Sequence, residues 1–188
     1  MTNIAYVSVQ GYGQIILFSS FSLLLNPFIA FGGVDLIGIH YFDKDEDHDR
    51  WIRRCNANAF YLFLFTTTVF LAFSPVLTRS FGVPLFIIII VPLSALLNYY
   101  TEELLLLLRF KGNAKGYFKI FALKILLDVG VTLFCLLVLR WGWYSRIAGF
   151  FAGYLFSLVI TIRVITAKNI LAPFRELQFK DFISKAFP

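Results

Sequence analysis

Residues 84–139, PLFIIIIVPLSALLNYYTEELLLLLRFKGNAKGYFKIFALKILLDVGVTLFCLLVL, decide the fold class. Two long apolar runs flank RFKGNAKGYFK (109–119), where Arg109, Lys111, Lys115 and Lys119 mark an aqueous loop and Gly112 and Gly116 break helices. Each run is long enough to cross a ~30 Å hydrocarbon core, which takes about 20 apolar residues as a helix. The same pattern recurs on either side. Spans are predicted at about 12–42, 57–78, 84–108, 117–139 and 147–165. The expected fold is therefore all-α, a multi-pass transmembrane helix bundle with about five spans over residues 1–165. The remainder, 166–188, is amphipathic and reads as a linker lying along the cytoplasmic membrane surface.

Composition agrees with this reading. Of 188 residues, 59% are hydrophobic and 15% charged, against roughly 45–50% and about 25% in a soluble domain. Cys55 and Cys135 have no CxxC partner and make no disulfide framework. No Gly-rich phosphate loop, HExxH or GxSxG motif occurs. His40 and His48 flank an acidic run beside Arg50, Arg53 and Arg54, a pattern that reads as a solvated loop and not a metal centre. Neither enzymatic chemistry nor a cofactor is expected.

The first span is overlong. Tyr12 to Phe42, with Asp35 its only charge, would exceed the bilayer core as one helix, and Pro27 and Gly32-Gly33 are its weak points. The polar loop DKDEDHDRWIRR (43–54) follows. Assigning loops alternately puts Lys44, Arg50, Arg53, Arg54, Arg109, Lys111, Lys115, Lys119, Arg163, Lys168, Arg175, Lys180 and Lys185 on one side. The other side receives Arg79, Arg140 and Arg146. By the positive-inside rule the basic side is cytoplasmic, the N-terminus of this chain is outside and its C-terminus inside. The net charge of +6 is then a matter of topology, with no nucleic-acid partner implied.

Three stretches carry a resemblance to a known family. They are Gly11-Tyr12-Gly13 with its apolar helix and FGGVDLIGIHYF (31–42), the hairpin LLLLRFKGNAKGYFKIFALKILLDVGVTLFCLLVL (105–139), and WGWYSRIAGFFAGYLFSLVITI (141–162) with FKDFISKAFP (179–188). In order and character these resemble the polysaccharide-biosynthesis export proteins, lipid-linked oligosaccharide (O-antigen) flippases related to the multidrug MATE exporters. The resemblance implies helices two to six of a twelve-helix fold built from two six-helix halves, with the first helix and second half outside this sequence. It further implies the bacterial inner membrane, an undecaprenyl-pyrophosphate-linked oligosaccharide as cargo moved by alternating access, surrounding membrane lipids, and the polysaccharide polymerase machinery as a further partner. A MATE-like small-molecule exporter and a membrane-embedded polymerase or acyltransferase are the alternatives.

Ionisable groups inside spans cost roughly 2.5–3.5 kcal/mol each and direct attention to themselves. Glu102 and Glu103 near the end of span three and Lys124 in span four fall at similar depths in consecutive spans, with Asp128 one turn deeper at about mid-membrane. Asn98 stands one turn from Glu102, as Lys124 does from Asp128. A polar seam of Asn98, Glu102, Lys124 and Asp128 is therefore expected along one hairpin, with Lys124 paired to Glu102 or Glu103. Two readings stay open. The seam is a cavity wall in which Lys124 draws an anionic head group and Asp128 or Glu102 exchanges an ion, or it is a structural pair holding two helices. Asp35, near a helix end, joins the candidates. GFFAG (149–153) is a small-xxx-small helix-packing signal.

Overall fold

The computed structural model describes residues 8–42, 48–82 and 84–164. These form α1 Val9–Ala30, α2 Gly33–His40, α3 His48–Ala72, α4 Ser74–Phe81, α5 Leu85–Phe110, α6 Ala114–Leu137 and α7 Tyr144–Val164, with no strand among the described residues. Five of them, α1, α3, α5, α6 and α7, are long and apolar enough to cross a membrane. The chain is a multi-pass helical membrane protein. The linker expected over 166–188 and residues 43–47 of the polar loop lie outside the described residues.

The overlong first span is two helices. Ser8 caps α1, its hydroxyl accepting from the Gly11 N–H at 3.0 Å. The helix stops where Phe31 (φ 40°) and Gly32 (φ 70°) turn left-handed in succession. Gly32 takes that conformation without strain, whereas Phe31 must be held there by its packing. Pro27 stays inside α1, and its carbonyl accepts the Phe31 N–H. The break leaves α1 at 22 residues, about 33 Å long, which matches the bilayer core.

The second span departs from the expected 57–78 at both ends. Helix α3 begins at His48, inside the polar run, because Ile52 and Cys55 share a face that packs on Leu36 and Ile37 of α2 and Leu107 of α5. Charge masked this face in the sequence; burial restores it. At the far end α3 stops at Ala72, and Pro75 opens the separate α4, which ends at the left-handed Gly82. The remaining three predicted spans correspond to α5, α6 and α7.

Helix α5 is the axis of the bundle, packed by α1, α2, α3 and α7. Its Ile87, Ile88, Val91, Ala95 and Tyr99 meet Phe18, Leu25 and Ile29 of α1, Ala59 of α3 and Ile147 of α7 in one core. The Ser22 and Ser94 hydroxyls meet at 2.9 Å within it. Helix α6 lies outside, held chiefly by α7, and buries only Ile120 and Cys135. Gly149 and Gly153 explain how closely these two approach. A Cβ at Gly149 would overlap the Thr132 hydroxyl and the Asp128 carbonyl, and one at Gly153 would stand 3.0 Å from the Lys124 carbonyl oxygen. GFFAG thus packs two helices of one chain.

The helices alternate in direction. Gly11 lies against Trp143, and the Gln14 amide donates to the Gly82 carbonyl at 3.3 Å, at one end of the bundle. At the other end Gly38 faces the Phe110 ring at 3.4 Å. The end of α2, the start of α3, the α5–α6 connection and the C-terminal end of α7 share that second end.

Candidate functional site

Two of the four seam residues, Lys124 and Asn98, come together, through a helix that the expectation did not include. Because Gly149 and Gly153 admit α7 against α6, α7 stands between α6 and α5, and the seam is built across it. The Lys124 Nζ sits 4.1 Å from the centroid of the Tyr154 ring. The Tyr154 hydroxyl donates to the Asn98 Oδ1 at 2.8 Å. This chain of contacts ties α6, α7 and α5 together. A cation over a desolvated aromatic face contributes about 2 kcal/mol, and the tyrosine hydroxyl contributes on the order of 0.6 kcal/mol as an interhelical bond in a membrane.

The expected Glu102–Lys124 ion pair is not formed. Glu102 is exposed on α5 and acts on Lys124 only through space, as does Asp128. Among the described residues no carboxylate lies within ion-pair distance of the Lys124 ammonium. Asp128 is instead paired with Arg146, at the first turn of α7, while the Thr132 hydroxyl donates to the Asp128 carbonyl at 2.7 Å. The Arg146 guanidinium also covers Phe150. Asp128 is therefore already neutralised inside the hairpin.

Asp35 is not brought to the seam. It is exposed in the first turn of α2, where a carboxylate favours the helix N-terminus by about 0.3–1 kcal/mol. Among the described residues no group of three His, Cys, Asp or Glu side chains could hold a metal ion. The chain matches no family model, no curated protein and no solved structure.

Sequence reasoning passed over two residues that matter and aimed a third, Glu103, at Lys124. Tyr154 and Arg146 were reachable, because Arg146, Gly149 and Gly153 recur at helical spacing on the face that meets α6. Glu103 points away from α6, towards α3, so it has no part in the Lys124 cluster. It is completely buried, and one carboxyl oxygen accepts from the Asn56 Nδ2 at 3.2 Å. Asn56 and Asn58, polar and buried in an otherwise apolar span, were the available signal.

Proposed function

We propose that this chain is part of a transporter that moves an undecaprenyl-pyrophosphate-linked oligosaccharide from the cytoplasmic to the outer leaflet of the bacterial inner membrane by alternating access. The observation that supports this reading is the state of Lys124. It is a half-buried cation at membrane depth, oriented by Tyr154, with no carboxylate at ion-pair distance among the described residues. A cation held in this way favours an anionic group such as a pyrophosphate over a cationic cargo. Its neighbours Asn98 and Tyr154 offer neutral hydrogen-bonding groups, while Asp128 is masked by Arg146.

The orientation follows from charge: the basic connections at one end of the bundle face the cytoplasm, leaving the start of α1 outside. Lys124 then lies in the cytoplasmic half of α6, where a head group would first be met. Lipid covers the apolar outer face of α6, and the polysaccharide polymerase machinery would take the delivered product.

The test is made in cells lacking this gene. Lipid-linked oligosaccharide should accumulate in their membranes, and the wild-type gene should relieve it. Lys124→Arg should relieve it in part, since the charge stays while the donor geometry changes, and Lys124→Ala should not. Absence of accumulation refutes the sugar-lipid cargo and favours a small-molecule exporter. Full relief by Lys124→Ala at wild-type protein levels refutes the role of the cation.

A further inference from the structure

Glu103 is a fully buried acid of the bundle. Its exposure is 0%, one oxygen has a single neutral donor in Asn56, and the other, Oε2, has no hydrogen-bond partner. The Tyr99 hydroxyl, one turn away on the same face of α5, is likewise buried and without a partner. From α3 the titratable neighbour is Cys55, beside Arg54; from α5 they are Tyr99 and Tyr100. Among its described side chains, helix α2 brings Gly33 and its apolar face, with Asp35 exposed. Helix α7 brings the Thr161 hydroxyl to the Tyr100 carbonyl. Among the described residues no cation reaches Glu103.

An ionised carboxylate taken out of water with one neutral hydrogen bond costs several kcal/mol. The packing as it stands requires a neutral acid. We propose that Glu103 is a proton-binding site, holding a proton while α2 and α3 are packed on α5 and releasing it when that packing opens to water. The cover over the site is slight. Helix α2 is eight residues long and joined to α1 by the left-handed pair Phe31 and Gly32. Gly33 lies against both neighbours, its Cβ position 3.5 Å from the Tyr99 hydroxyl and from the Cys55 Cβ, in ordinary contact. Leu36 and Ile37 are its buried apolar anchors.

The sign follows by linkage. The packed state binds one proton more than the open state, so it is favoured at low pH and lost as pH rises. Where the packed state holds the proton and the open state does not, the open population grows up to about tenfold per pH unit. This inference rests on the packing around α5 and not on the identity of any cargo.

Two measurements on the purified chain in lipid test it. Infrared difference spectra between neutral and alkaline buffer should show a protonated carboxyl C=O band, lost in Glu103→Gln and kept in Glu102→Gln. Absence of the band at neutral pH, or its survival in Glu103→Gln, overturns the proposal. The second measurement is the alkylation rate of Cys55 relative to Cys135, both buried, followed with pH in the wild type and in Glu103→Gln, so that each thiol's own response to pH is compared between the two proteins. That ratio should climb with pH more steeply in the wild type than in Glu103→Gln. Equal slopes overturn the proposal, and a ratio that follows sodium at fixed pH assigns the site to a metal cation in place of a proton. Glu103→Asp, which keeps an acid, should retain both the band and the slope.

Discussion

Gly149→Ala is the sharpest test of the α6–α7 interface. The added methyl would overlap the Thr132 hydroxyl and the Asp128 backbone carbonyl, and a carbonyl inside a helix cannot rotate away. Thr132 is itself committed to that carbonyl by its own hydrogen bond. Helix α7 must therefore move off α6, an overpacking cost of about 1–3 kcal/mol. Against this stands the gain of about 0.8–1 kcal/mol when a helix-interior glycine becomes alanine. Gly130→Ala supplies the correction, because Gly130 lies in α6 with nothing within 4 Å of its Cβ position. The difference between the two variants cancels the backbone term and leaves about 1–3 kcal/mol. For a chain of this size each kcal/mol moves the midpoint by roughly 2–4 °C. The assay is thermal exposure of the buried Cys55 and Cys135 to a maleimide dye that fluoresces on reaction. Gly149→Ala should melt several degrees below Gly130→Ala; equal midpoints refute the close approach of α7 to α6.

Arg146→Ala strands Asp128 in the hairpin, and should destabilise the chain more than the double variant Arg146→Ala/Asp128→Asn, which removes both charges; the same thermal assay reads the comparison, and additive losses would rule out the pair. Tyr154→Phe keeps the ring under Lys124 and loses only the bond to Asn98, so its cost should be on the order of 0.6 kcal/mol. Tyr154→Leu removes both and should cost about 2 kcal/mol more by the same measurement.

The spans were legible because uninterrupted apolar length is a direct physical requirement of the bilayer, and Gly32 was legible as a stop because it has no Cβ. The start of α3 was not legible, since charged residues dominate 43–54 and the buried face of Ile52 and Cys55 becomes apparent only once α2 lies on it. In the candidate site, depth was readable and rotation was not. Lys124 and Asp128 fall at the heights of Glu102 and Asn98, but which helix would face them depended on two glycines in a span without acidic residues. Glu102 and Glu103 show the same limit, since one residue is a rotation of about 100° around a helix. That rotation separates an exposed carboxylate from a fully buried one.

The pairing of α6 with α7 bears on how the chain enters the membrane during synthesis. Asn56 precedes Glu103 in the chain, so the carboxyl of α5 finds its amide already in place. For α6 the order is reversed: Lys124 and Asp128 emerge before Tyr154 and Arg146, the groups that later accompany them. Until α7 is made, α6 must reside in lipid with both ionisable groups lacking their α7 partners, where an unpaired one costs up to roughly 2.5–3.5 kcal/mol. Among the five candidate spans α6 has the highest hydropathy. The most apolar helix is thus the one whose two ionisable groups precede their partners, and its hydropathy holds it in the bilayer until the next helix arrives.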